Sequence, residues 1–430
     1  MKKLSILALA AILVVAFTAP TWALENEFGG YWRTRFFSQK YFTGHSNGDL
    51  IGTDATGNPV FAGDDTVRRV DTRTRLYYTA KINDNLKFVN KFEMNAVWGE
   101  SEFVPASTLD VVDAAGATIG AVSVPQPQNS FYGDPGADGI QVKVKNSYAD
   151  FDTGPVNWTV GVQPYQLFRS FAIDDDASGV IARWKILDNF VLAGSWLKNY
   201  EGGPGNGTNE DVDTYTLTGA FWFNENISIK PSFSWAQTAE LNSIFGTGLL
   251  ATDGGAGTTT ATAPFQDADI YTFGADFDMS FDNWGLWATA FMQSGSVKAS
   301  NALLGGFPVQ NDYDFKGWLA AVGGNVMLGN FDIHGEFIYT PGDDDPLDTD
   351  LDNVFTPLSS YYWSEIMGLG IFDNRASANA PGDAIFNLMA FNIGTTYKFD
   401  QIPLSLSADL WYAKRDEDVL FTPDAARPDL

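Results

Sequence analysis

The chain has 430 residues, with 53 acids against 26 Lys and Arg, a formal charge of −27, no cysteine and two histidines. No disulfide framework, thiol catalysis or Cys-ligated metal is available to it, and it lacks the net basic character of a nucleic-acid binder. Glycine (42), Phe (33), Tyr (16) and Trp (13) are more abundant than a soluble enzyme of this length would show.

The first residues predict a secretory signal over residues 1–23. Lys2 and Lys3 supply a basic start, residues 4–17 an apolar run, and Thr21, Trp22 and Ala23 a cleavage site before Leu24. No later stretch reaches the roughly 20 apolar residues of a membrane-spanning helix.

From there the chain alternates with a period of two. Trp32, Thr34 and Phe36 oppose Tyr31, Arg33 and Arg35. Thr72, Thr74 and Leu76 oppose Arg69, Asp71, Arg73 and Arg75. Phe88, Phe92 and Met94 oppose Lys87, Lys91 and Glu93. Val142 and Val144 oppose Lys143 and Lys145, Trp158 and Val160 oppose Asn157 and Thr159, and Trp184 opposes Arg183 and Lys185. Tyr215, Leu217, Phe233 and Trp235 oppose Thr and Ser. Segments near 190–198, 284–294, 313–327 and 385–398 are apolar on both faces, which leaves their orientation open.

Seven short turns punctuate these strands, at Asn83-Asp84-Asn85, Thr153-Gly154-Pro155, Asp188-Asn189, Asn224-Glu225-Asn226, Asp282-Asn283, Gly329-Asn330 and Asp400-Gln401. The intervening connections are longer: 43–67, 100–139, 164–178, 200–211, 239–267, 298–312 and 341–384. Short turns at one rim and long loops at the other predict an all-β fold, a transmembrane antiparallel up-and-down β-barrel occupying 24–430. In lipid such a barrel inverts the usual arrangement, with apolar side chains outside and charge within. Fifteen strands are legible, whereas bacterial single-chain barrels close with an even number. The expectation is therefore sixteen, with the closing strand lost from a C-terminally truncated chain, or else one strand miscounted in a segment that is apolar on both faces.

At these residues the chain resembles the outer-membrane porins of Gram-negative bacteria. The resemblance implies a sixteen- or eighteen-stranded barrel, a homotrimer in outer-membrane lipid, passage of ions and small hydrophilic solutes, and no catalysis or cofactor. It also implies that the third extracellular loop, here residues 164–178, folds inward and narrows the lumen. One wall of that constriction would carry Arg33, Arg35, Arg69, Arg73, Arg75, Lys91, Lys143, Lys145, Arg183 and Lys185. The other would carry Asp174, Asp175 and Asp176, with Arg169 nearby. Opposed charges across a narrow aqueous gap select among solutes, and ten inward cations predict weak selectivity or anion preference. Alternatives are a substrate-specific channel, for an oligosaccharide or an anion such as phosphate, or a barrel sheathing a partner protein.

Three further features have plainer readings. Asp343, Asp344, Asp345, Asp348, Asp350 and Asp352 depart from the helix-loop-helix calcium motif and read as a solvated acidic loop, with divalent-cation bridging left open. His334, in line with Asp332 and Glu336, reads as a lumen residue. Trp98, Trp235, Trp284, Trp363 and Trp411 lie near strand ends, where indoles settle at the lipid headgroup level; Trp196 and Trp411 are candidates to face inward.

Overall fold

The computed structural model describes residues 25–39, 50–53, 59–61, 67–98, 108–112, 118–123, 142–200, 211–240, 265–299, 303–304, 307–308, 312–342, 349–355, 387–414 and 416–417. The expected signal and cleavage site lie outside them, as do residues 343–348 of the acidic loop and Trp363.

Among the described residues fifteen long strands form one antiparallel wall, and two short strands, Asp312–Phe315 and Asp350–Leu351, join the same sheet. The long strands are β1 (Glu25–Gln39), β2 (Val67–Asn83), β3 (Leu86–Val97), β4 (Val142–Thr153), β5 (Val156–Leu167), β6 (Ile173–Leu187), β7 (Phe190–Tyr200) and β8 (Val212–Asn224). There follow β9 (Ile227–Glu240), β10 (Phe265–Phe281), β11 (Trp284–Ala299), β12 (Trp318–Leu328), β13 (Phe331–Thr340), β14 (Leu388–Lys398) and β15 (Ser405–Lys414). Each pairs antiparallel with the next in chain order. Among the described residues β1 pairs only with β2, and β15 only with β14, so the sheet has two edges and the sixteenth strand is not seen.

All seven expected turns are present, and local chemistry explains four of them. Asn83 Oδ1 accepts the Asn85 backbone N–H at 2.9 Å, and Asn224 Oδ1 accepts those of Asn226 and Ile227 at 2.8 and 2.9 Å. A side-chain amide thereby completes the turn that the backbone alone leaves open. Gly154 and Gly329 supply φ values of +67° and +61°, which L-residues rarely adopt.

The side-chain distribution is inverted. Leu76 is 50% exposed while Arg73 on the same strand is 4% exposed and Asp71 fully buried. Phe28, Trp32, Val144, Phe223, Phe273, Met292, Phe391 and Leu410 are likewise exposed around the whole wall. Monomeric soluble proteins rarely expose contiguous apolar patches beyond a few hundred Å². An outer surface that is apolar on every strand gains its hydrophobic free energy only when hydrocarbon covers it.

The expected loop at 164–178 is instead a continuation of two strands. β5 leaves β4 after the pair Ser147↔Val162, and β6 joins β7 only at Ser178↔Lys198. Between those points β5 and β6 pair only with each other, down to Leu167↔Ile173. The departure is set by Gly161 opposite Gly179. A Cβ on either would lie 2.4 Å from the Ser147 carbonyl oxygen or 2.2 Å from that of Trp196. Only glycine permits both neighbours to approach so closely where the hairpin bends away from the wall.

Candidate functional site

The hairpin of residues 163–177 crosses the interior. Its tip, Phe168 to Phe171, lands on the inner faces of strands far away in the wall. Phe168 stacks on Phe291 of β11 with ring centroids 5.1 Å apart, and Phe171 meets Trp287 of β11 at 6.2 Å. Leu319 of β12, Ile338 of β13, and Leu388 and Ala390 of β14 complete this buried cluster, with Trp411 of β15 packed against it. Contacts from β5 and β6 to β11–β15 require the sheet to roll up around the hairpin.

This explains why several strands read as apolar on both faces. Leu197, Phe291, Leu319 and Ala390 point inward but are dry, because the hairpin covers them. A second inward segment, residues 349–355, covers the inner faces of β9–β11. Phe355 donates its N–H to Gln293 Oε1 at 2.8 Å and accepts Gln293 Nε2 at 2.7 Å. Phe355, Leu351 and Phe315 then pack on Ala236, Ala268, Ile270 and Val297.

The opposite half of the interior is charged. Arg35 pairs with Asp71 at 2.8 Å, Arg75 with Glu93 at 2.6 Å, and Arg73 with Glu93 at 3.5 Å. Arg73 Nε also donates to Asn95 Oδ1 at 2.9 Å. Lys91 lies over the Tyr77 ring at 5.3 Å, and Arg75 over that of Tyr31 at 5.7 Å. Arg33 and Lys143 are half-buried on the same inner faces; the side chain of Arg69 lies outside the described residues.

The hairpin turns its acidic face toward this basic wall. Asp176 accepts from Lys145 and, at 2.6 Å, from Asn146 Nδ2. Asp174 accepts from Gln166 Nε2 at 3.1 Å, and Asp175 is exposed. The structure thus brings Lys145 to the acidic run but separates other expected members. Arg169 does not sit beside the aspartates: it reaches the far wall, pairing with Asp278 of β10 and lying over Trp287 at 4.6 Å. Arg183 donates to Thr159 Oγ1 at 2.8 Å, deeper in the wall. Lys185 is exposed at the short-turn rim, 2.8 Å from Asp188, whose carboxyl its hydrogen bond holds below the ordinary range.

Trp196 faces outward, its indole N–H donating to Asp213 at 2.8 Å, while Trp411 packs inward rather than at a lipid-facing strand end. His334 Nε2 lies 2.8 Å from Asp409 Oδ1, across Gly394, where a Cβ would collide with both. Asp350 of the acidic stretch pairs with Lys316 and pushes that ammonium's pKa up.

Three solved structures are similar to this chain over most of its length. A mutant of the Rh. blastica porin is 11% identical, covering 90% of this chain and 94% of its own, at a TM-score of 0.41. OccK8 (OprE) of Pseudomonas aeruginosa is 8% identical, covering 90% and 84%, at 0.44. OmpT, an outer membrane protein of Vibrio cholerae in trimer form, is 11% identical, covering 92% and 90%, at 0.45. No family model and no curated relative matches the chain. The fold assignment, an all-β up-and-down wall with an inverted surface, rests on this chain's own strands and burial.

Proposed function

We propose that the protein is an outer-membrane channel through which ions and small hydrophilic solutes diffuse passively. The observation carrying this reading is the combination of an apolar exterior with an interior half that is lined by charge. The apolar cluster fills the side of β11–β14, so the aqueous path runs off-centre, between the basic faces of β1–β4 and the acidic face of the hairpin. The protein carries out no reaction on its solutes, and the wall is assembled as a homotrimer in lipid.

Selectivity follows from pairing rather than from the number of cations. Asp71, Glu93 and Asp176 offset much of the positive wall, so the bore prefers anions weakly. Reversal potential in planar bilayers under a salt gradient tests this. The expected result is a modest anion preference, reduced when Arg73 and Arg75 are replaced by Gln. Strong cation selectivity indifferent to those replacements would overturn the assignment of this wall to the bore.

A further inference from the structure

We propose that the short-turn rim is an acidic collar whose field opposes that of the basic wall deeper in the bore, so that the channel conducts asymmetrically. The proposal deepens the channel reading and rests on it for the asymmetric current, though not for the sign of the field at each level.

The up-and-down order of the wall brings all seven short turns to one rim, each between a different pair of strands. Every turn carries a carboxylate within it or no more than two residues away: Asp84, Asp152, Asp188, Glu225, Asp282, Asp332 and Asp400. All but Asp332 are exposed. Turn formation does not require these charges. Asn83 and Asn224 close their turns with their own side chains, whereas Asp84 and Glu225 stand at the centre of the same turns and accept no hydrogen bond there among the described residues. Glutamate, moreover, is not one of the residues that favour turns.

The nearby cations leave the collar negative. Lys81 pairs with Glu27, Lys87 with Asp150 at 3.3 Å and Lys185 with Asp188 at 2.8 Å, so each is matched by a carboxylate. Another lysine of the rim, Lys398, is outnumbered by Asp84, Asp152, Glu225, Asp282 and Asp400. Deeper in, the balance reverses. Arg73 and Arg75 share the single carboxylate of Glu93, and Lys91 rests on the Tyr77 ring. Lys91 stands about 20 Å along β3 from Asn85, at about 3.4 Å per residue. Mobile ions screen charge over about 10 Å at 0.1 M salt and about 3 Å at 1 M. At the lower concentration each level therefore keeps its own sign, and at the higher neither reaches across the bore. Cations entering through the collar and anions entering from the long-loop side accumulate where the two levels meet, whereas the opposite bias depletes both. The current is then larger with the short-turn side positive. This is the effect of a fixed field and needs no bound ion.

The absence of cysteine from the chain allows a readout of the field that does not need conduction. Nitroxides are placed in the full-length protein at Asn283→Cys on the collar and at Tyr31→Cys beside Arg75. In uncharged detergent micelles at about 0.1 M salt, the Asn283 label should collide more often with a divalent cationic relaxing agent than with a neutral one. The expected ratio is about sevenfold, the enrichment that one kT of negative potential gives a double charge. The Tyr31 label should favour the neutral agent. Replacing Asp84, Asp282 and Asp400 by Asn and Glu225 by Gln should bring the Asn283 ratio to parity and leave the sign at Tyr31 unchanged. In planar bilayers, with orientation assigned by one-sided maleimide reaction at Asn283→Cys, the current should rectify at about 0.1 M salt and become ohmic at about 1 M. The protein with all four substitutions should be ohmic at both. Equal collision with both agents at Asn283, the same preference at both labels, a symmetric current at the lower salt, or rectification that survives the substitutions would overturn the proposal. If neither protein conducts, the channel reading fails, while the collision ratios still decide whether the two levels oppose each other.

Discussion

Glu93 is the acid on which the basic wall depends most, and replacing it by Gln has a calculable consequence. Its carboxylate accepts from Arg75 at 2.6 Å and from Asn95 Nδ2 at 2.9 Å, and lies 3.5 Å from Arg73 Nε. Removing one partner of a buried ion pair costs about 3–5 kcal/mol, because the remaining charge is left uncompensated. Arg73 is 4% exposed and cannot escape, but Arg75 is 20% exposed and can recruit water. The expected loss therefore lies at or below the lower end of that range, about 2–3 kcal/mol. Urea unfolding in lipid vesicles, followed by tryptophan emission, measures it. The same variant leaves one uncompensated positive charge in the bore, so the reversal potential should move toward anions. Unchanged stability together with unchanged selectivity would refute the placement of Glu93 between the two arginines.

Other positions give independent checks. Phe171→Ala empties a fully buried site in the far-wall cluster and should cost about 3–5 kcal/mol, also by urea unfolding; a loss under about 1 kcal/mol would mean the tip is not seated there. Asn224→Ala removes the acceptor of two turn N–H groups and should cost about 1 kcal/mol without altering conductance. Gly161→Val would place side-chain atoms against the Ser147 carbonyl and should lower the yield of folded protein on gel mobility assays, whereas the same change at Gly154, which has open space around it but a positive φ, should act only through turn strain.

Local signals made most of the wall legible in the sequence. Turns such as Asn83-Asp84-Asn85 and Asn224-Glu225-Asn226 are closed by their own side chains, and strands such as β2 and β9 keep strict alternation because one face meets charge or hydroxyls. The ambiguity of β7, β11, β12 and β14 had a nonlocal cause. Their inner faces are apolar because the hairpin of residues 163–177 packs into one buried cluster with them. The hairpin itself reads as a loop in the sequence, since Pro164 and three consecutive aspartates are loop-like and strand pairing cannot be seen in one sequence. Its glycine bend looks like any loop glycine until Gly161 and Gly179 are found opposite each other. The charged wall is visible as a parity pattern that sets Asp71 and Glu93 among the cations as their pairing partners, and Arg35, Arg73 and Arg75 do pair with them; the longer-range pairs are not visible. Arg169 and Asp278 are separated by 109 residues, and only the rolled sheet brings them together.

The inversion of the wall can be tested most directly with nitroxide spin labels at two positions on adjacent strands in a lipid bilayer. Leu76→Cys places the label on the exposed face of β2, and Lys91→Cys places it on the inner face of β3. The Leu76 label should be relaxed strongly by oxygen, which partitions into hydrocarbon, and weakly by a water-soluble nickel chelate, with the reverse at Lys91. A Leu76 label that responds to the chelate, alongside a Lys91 label that responds to oxygen, would contradict the account.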